Sequence, residues 1–136
     1  MSNIEQTLSI IKPDATERNL EKEIKSQFIK NGFSIAKEKK IQITKAEAEE
    51  FYKVHETKPF YNDLCAYLSS GPIVVMILEG EDAISKNRQL MGATDPLLAE
   101  EGTLRKMHGL SIDKNSIHGS DSLENAKTEI EFFFDK

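Results

Sequence analysis

Apolar residues along this chain fall into short runs of changing period, and each change marks an element. Thr7 to Lys12 is a β-branched and aliphatic run that meets Pro13, as a strand does at a residue unable to donate to a ladder. Leu20, Ile24 and Phe28 then recur at four-residue spacing behind Asn19 as N-cap, with Glu21 and Glu23 in the first turn. Gly32 closes that predicted helix. From Phe33 to Ile43, the residues Phe33, Ile35, Ile41 and Ile43 share one parity around Lys37 and Lys39, which predicts a strand with a wetter middle. Thr44 and Glu47 have the spacing of a capping box and open a helix to about Tyr52. A further helical stretch follows Pro59, carries Phe60, Leu64 and Leu68, and stops at Gly71-Pro72.

The unbroken apolar run Ile73 to Leu78 predicts a strand buried on both faces. Gly80 turns the chain into a helix from Asp82 to Met91, with Ile84, Arg88 and Met91 along one side and Gly92 at its end. Between Gly92 and Ser116 the period fails, and the reading is a long irregular loop, a feature that usually serves function. Ile117 to Ser120 is too short to read as a strand by itself. Asp121 and Glu124 supply capping chemistry for a last helix with Leu123, Ala126, Ile130 and Phe133 on one face. Strands alternating with helices imply a sheet of three or four strands covered by helices, and alternation taken alone leans towards parallel pairing.

Composition narrows the class. A chain of 136 residues is expected to form a single domain, 1–136, large enough to bury a core without metals or crosslinks. Its longest apolar run falls far short of the roughly 20 residues that span a bilayer. The first residues have neither the basic flank nor the apolar stretch of a secretory leader, and Cys65 has no partner for an internal disulfide, so the expected location is cytoplasmic. A net charge of -5 excludes a surface built for polyanions, so nucleic acid is not expected as a primary partner. Any phosphate ligand must be met by a few placed cations.

Candidate chemistry centres on His118, between an apolar residue and Gly119-Ser120-Asp121 at the mouth of a helix, where free N–H groups favour an anion. An ordinary turn residue before a capped helix would look the same. His55 and His108 read as surface residues. Lys12, Arg88 and Arg105 each lie near an element's edge, where side chains can converge on phosphate. There is no P-loop, no G-x-G-x-x-G and no Cys/His metal cluster. Phe60 after Pro59 could stack on a base or simply pack.

Taken together, Ile11-Lys-Pro-Asp14, Ser70-Gly-Pro72, Gly92-Ala-Thr-Asp-Pro96, Gly102-Thr-Leu-Arg105 and Asn115-Ser-Ile-His-Gly-Ser-Asp-Ser122 closely resemble the nucleoside diphosphate kinases, from about Ile4 to Phe134. The resemblance implies an α+β, ferredoxin-like fold with a four-stranded antiparallel sheet covered by helices. It implies ping-pong transfer of the γ-phosphate of ATP or another nucleoside triphosphate to a nucleoside diphosphate. His118 would be the phosphorylated nucleophile, Glu129 its orienting carboxylate, and Ser120 a brace for the loop. Lys12 and Tyr52 would meet the transferred phosphate, with Arg88, Thr94 and Arg105 on the other phosphates. Asn115 and Lys12 would bind the ribose, while Phe60 and Ile112 would enclose the base. Mg²⁺ would arrive with the nucleotide, Asp121 reaching it through water and no side chain ligating it directly. A homo-oligomer is implied, and because the chain ends at Lys136 without the extension of longer members, tetramer and hexamer both stay open. Lys22 stands where Gly is common, and Met107-His108 replaces an acidic-aromatic pair; both departures bear on loop and assembly. A nucleotide-binding interaction or regulatory protein on the same fold is the alternative.

Overall fold

The computed structural model describes residues 4–110 and 114–134. Four strands, β1 (Ile4–Ile11), β2 (Ser34–Ile41), β3 (Ile73–Glu81) and β4 (Ile117–Gly119), form one sheet in the order β2-β3-β1-β4. Every neighbouring pair is antiparallel. The helices are α1 (Pro13–Glu17), α2 (Glu21–Lys30), α3 (Lys45–Phe51), α4 (Tyr61–Leu68), α5 (Ala83–Met91), α6 (Leu104–His108) and α7 (Leu123–Phe134). This is the ferredoxin-like α+β arrangement.

The parallel pairing suggested by strand-helix alternation is corrected by one insertion. β1 and β2, joined through α1 and α2, do run the same way, but β3 lies between them and pairs antiparallel with both. Crossover connections therefore coexist with a wholly antiparallel ladder.

β3 explains its own unbroken apolar run. Val74, Met76 and Leu78 pack with Ile24, Phe28, Ala83, Met91 and Leu104 on one face, and Ile73 and Val75 pack with Ala48, Tyr52, Cys65, Leu68 and Phe133 on the other. Side-chain parity then places the site. Ile10 belongs to the second layer and lies opposite His118, whereas Ile11, opposite Ile117, belongs to the first. Directly opposed residues share a face, so His118 projects towards the layer of α3, α4 and α7.

Several predicted elements stand with altered detail. The Thr44 capping box is complete, with Glu47 N donating to Thr44 Oγ1 at 3.1 Å and Thr44 N to Glu47 Oε1 at 2.9 Å. Asn19 does not cap α2; at φ 59 it ends the short α1, a left-handed position that asparagine tolerates better than most residues. Gly80 lies within β3, and the turn before α5 falls on Asp82 at φ 50. α5 buries Ala83, Asn87 and Met91, leaving Arg88 outside. On α7 Leu123 is exposed, and the cap is Ser122, whose Oγ accepts from Asn125 N at 3.0 Å. The long irregular stretch contains α6, started by Thr103. That helix turns His108 inward, against its reading as a surface residue, while Met107 faces out. Lys22 is exposed on α2. None of the described helices is long and apolar enough to cross a membrane.

Candidate active site

β4 has three residues, and the middle one is His118. Its Nε2 lies 3.0 Å from Glu129 Oε1 on α7. A carboxylate oxygen only accepts, so this contact places the imidazole proton on Nε2 and leaves the Nδ1 lone pair available for chemistry. Ser120 Oγ donates to the same Glu129 oxygen at 2.7 Å and accepts from Leu8 N at 3.2 Å, while Ser120 N donates to Leu8 O at 3.1 Å. The hydroxyl thus ties the orienting carboxylate to the central strand. Phe51, at the end of α3, meets the His118 ring nearly edge-on, with centroids 5.4 Å apart and planes at 74°. Glu129 and Phe51 together restrict the rotation of the imidazole.

Lys12 follows β1 and is buried, its Nζ donating to Asn115 Oδ1 at 3.0 Å. Asn115 Nδ2 donates in turn to Thr94 O at 3.1 Å. Three residues expected at the nucleotide are thereby linked across more than 80 positions of sequence. A buried polar cluster supports them. Asp14 Oδ2 accepts from Ser116 Oγ at 2.6 Å and from Arg18 Nη2 at 3.0 Å, and Tyr67 donates to Asp14 Oδ1. Arg18 also donates to the His108 carbonyl at 2.5 Å, which joins α6 to the same cluster. Ser116 sits at φ 75, a left-handed conformation unusual for serine, immediately before β4. Lys12 N fastens it by donating to Ser116 O at 2.8 Å.

Arg105 reaches the strand edge from α6. Its Nη1 donates to Gly92 O at 3.1 Å and its Nη2 to Ile117 O at 2.9 Å. Gly92, at φ 85, accommodates this packing, because a Cβ there would stand 2.6 Å from Thr103 Oγ1. Burial, and next the charge of Arg88, lower the Arg105 pKa to about 10. A buried cation in the field of a second, exposed cation is held at a cost, which a nearby anion would relieve. Burial pushes the Tyr52 phenol well above its usual range, with Glu129 adding to the effect and Arg105 opposing it. Tyr52 therefore lies in the field of Glu129 and Arg105, and Arg105 in that of Arg88 and Tyr52.

Phe60 is 45% exposed and stands 6.0 Å from the His55 ring, which is 6.2 Å from Tyr52. With Phe51 this gives a row of rings from the surface to His118. Arg88 and Asp121 line one open groove with Glu5 and Lys86, and Asp121 Oδ1 accepts from Asn125 Nδ2 at 2.5 Å. Among the described residues no group of three His, Cys, Asp or Glu could hold a metal ion. Ile112 lies outside the described residues. Sequence reasoning missed Phe51 and the Asp14, Tyr67 and Ser116 supports. The available signals were the i, i+4 spacing of Asp14 and Arg18 and the presence of Asp14 and Ser116 inside the family motifs.

Comparison with known proteins agrees with this geometry. The family model described as nucleoside diphosphate kinase matches residues 5–136. A nucleoside diphosphate kinase of Persephonella marina is 52% identical over 134 residues, covering 98% of this chain and 96% of the relative. One from a Nitratiruptor species is 57% identical over 131 residues, covering 96% of each. The crystal structure of the Aquifex aeolicus nucleoside diphosphate kinase superposes with a TM-score of 0.95 at 43% identity, covering 97% of this chain and 96% of that one. That of Encephalitozoon cuniculi gives 0.93 at 36%, covering 97% and 90%. With the motifs, the fold and these likenesses extending over nearly the whole chain, the protein belongs to the nucleoside diphosphate kinase family.

Proposed function

We propose that the protein is a nucleoside diphosphate kinase that passes the γ-phosphate of a nucleoside triphosphate through His118 to a nucleoside diphosphate. The observation that carries this reading is the 3.0 Å contact of His118 Nε2 with Glu129, which leaves Nδ1 as the nucleophilic nitrogen. Nδ1 attacks the γ-phosphorus, the bond to the bridging oxygen breaks, and a nucleoside diphosphate departs. A terminal oxygen of the second diphosphate then attacks the phosphohistidine, the P–N bond breaks, and Nδ1 regains its lone pair. Glu129 holds the Nε2 proton in both steps and offsets the charge gained by the ring.

Lys12 and Tyr52 meet the transferred group, and Arg88, Thr94 and Arg105 meet the remaining phosphates. Charge-assisted hydrogen bonds of this kind contribute roughly 1.5 to 3 kcal/mol each, so a few of them overcome the net charge of -5 locally. Asn115 and Lys12 serve the ribose. Phe60 and Ile112 take the two faces of the base, and stacking of this kind tolerates every base because each has a π-face. The divalent ion of the reaction would be Mg²⁺ brought with the nucleotide, and Asp121, which is exposed, would reach it through water. Bound Mg²⁺ supplies charge neutralisation.

The protein acts as one domain, in the cytoplasm, as a homo-oligomer. Leu97, Leu98 and Leu110, exposed at 84%, 76% and 61%, offer apolar surface for such contacts, and a light-scattering mass separates tetramer from hexamer. Incubation with γ-labelled ATP and Mg²⁺ tests the activity. The label should enter the protein in an acid-labile, base-stable bond, leave on addition of any nucleoside diphosphate, and be absent from His118→Ala. Parental turnover in His118→Ala would refute the role of that residue, and failure with every nucleotide would favour an interaction protein on this fold.

A further inference from the structure

Of the buried side-chain polar atoms without a hydrogen-bond partner among the described residues, four belong to three residues: Thr7 Oγ1, Ser9 Oγ and both amide atoms of Asn87. All three residues are completely shut off from solvent. Two observations put them in one place. Ser9 is the cross-strand partner of Gly119, so both project to the same face of the sheet. A Cβ built on Gly119 would stand 2.4 Å from Asn87 Nδ2 and 2.8 Å from Met91 Cε. Asn87 therefore lies over Gly119 and beside Ser9.

Thr7 is bracketed by the course of α5 over β1. Near one end of the helix Ile84 N donates to Glu5 Oε1 at 3.2 Å, and towards the other Asn87 and Met91 sit over the partner of Ser9. Thr7 shares the parity of Glu5 and Ser9 and falls between those two points. The surrounding layer is apolar, built from Met76, Leu78, Ala83 and Met91, which offer the amide and the hydroxyls no strong hydrogen-bonding group, and the three polar side chains are not bonded to one another. Such groups are costly to bury unpaired, and the usual remedy in a native interior is an ordered water bonded to about two to four of them.

We propose that Thr7, Ser9 and Asn87 enclose an ordered water between β1 and α5, and that Asn87, through it and through Gly119, is a positioning residue for His118. β4 has three residues and Gly119 follows the histidine directly, so the helix that presses on Gly119 sets the backbone from which the imidazole projects. Asn87 acts from the opposite face of the sheet to Glu129, and the two hold His118 from both sides.

A crystal structure of the full chain that resolves solvent tests the water. Density within hydrogen-bond distance of at least two of the three side chains is expected, and an Asn87 amide bonded directly to Ser9 or Thr7 with no solvent between overturns the site. The positioning role rests on the phosphotransfer reading for its kinetics, and Asn87→Leu, similar in size and apolar, tests it. Phosphohistidine formation at saturating ATP should fall ~10- to 100-fold while KM changes less than about threefold. The nitrogen NMR signature of His118 should show a smaller share of rings with the proton on Nε2. Asn87→Ser, which keeps a polar group and leaves room for a second water, should recover most of the rate. Parental rates and an unchanged ring signature in Asn87→Leu overturn the role. Should that variant not fold, Ser9→Ala, which removes one water contact with little change of volume, is read in the same way for a smaller effect. A parent chain that never forms phosphohistidine refutes the phosphotransfer reading, whereas solvent density and the ring signature still decide this one.

Discussion

The two edge strands of the sheet are protected in different ways. β2 is eight residues long and carries Lys37, Glu38, Lys39 and Lys40. Lys25 pairs with Glu38 at 2.8 Å and Lys40 with Glu21 at 2.9 Å, and the register slips between Ile35 and Lys37. Charge and a bulge both discourage further pairing at an edge. β4 has three residues, and the carbonyl of its first, Ile117, is taken by the buried guanidinium of Arg105. At β2 most of the protecting charges are solvated, and Glu38 and Lys40 are paired with Lys25 and Glu21 on α2. At β4 the protecting charge is buried, lies near a second cation, and is accompanied by a histidine with one ring nitrogen available. The same structural problem is met with solvated charge at β2 and with a buried charge at β4, where the proposed reaction would bring an anion.

Substitutions should separate the two edges. Glu129→Gln replaces the anionic acceptor of the His118 Nε2 proton by a neutral amide, and phosphohistidine formation in single turnover should slow by about 10²-fold with a melting temperature close to the parent. Equal rates would mean that the negative charge of Glu129 contributes nothing to the chemistry at His118. Arg105→Met should weaken nucleotide binding by ~10-fold or more, as expected for a lost charge-assisted bond, readable by calorimetric titration.

The pH dependence of Arg105 sharpens the same point. With its pKa lowered to about 10, Arg105 is cationic at neutral pH and loses its charge as pH rises through that value. Nucleotide affinity should therefore fall above about pH 10 in the parent and be flatter there in Arg105→Met. Between that pH and the ordinary guanidinium range the unfolded chain keeps a proton that the folded chain has lost, so this group's contribution to stability rises with pH in that window.

Phe60→Ala should raise KM by ~10-fold with kcat nearly unchanged, the expected size of one lost base–aromatic stack. A fall in kcat without a change in KM would remove Phe60 from the base site. Smallest of all, Lys40→Ala at the β2 edge should cost less than about 1 kcal/mol in denaturant unfolding and leave turnover as it was, because a partly exposed pair is screened. Loss of activity there would break the contrast between the edges.

Legibility from sequence followed the range of the interactions. The Thr44–Glu47 box, Gly32 beyond α2 and the buried run Ile73 to Leu78 could be read because neighbouring residues decide them. Asn19 was misassigned because a left-handed residue and an N-cap draw on the same residue types, and the choice depends on where the next helix packs. His108 was read as exposed because nothing local shows that α6 turns it inward. At the site, the motifs identified His118, Lys12 and Arg105, but no spacing could show that Phe51 lies against the imidazole or that Asn87 presses on Gly119.

The sequence alone determined the longer elements and which family's motifs they carry, since capping, periodicity and the residues around His118 are matters of adjacent chemistry, while the short α1, α6 and β4 were not legible in it. Tertiary structure decided that β3 enters between β1 and β2, that parity turns His118 towards Glu129, and that Arg105 is buried at the open edge. Those outcomes depend on contacts between segments far apart in the chain, where packing sets orientation and burial sets how strongly a charge is held.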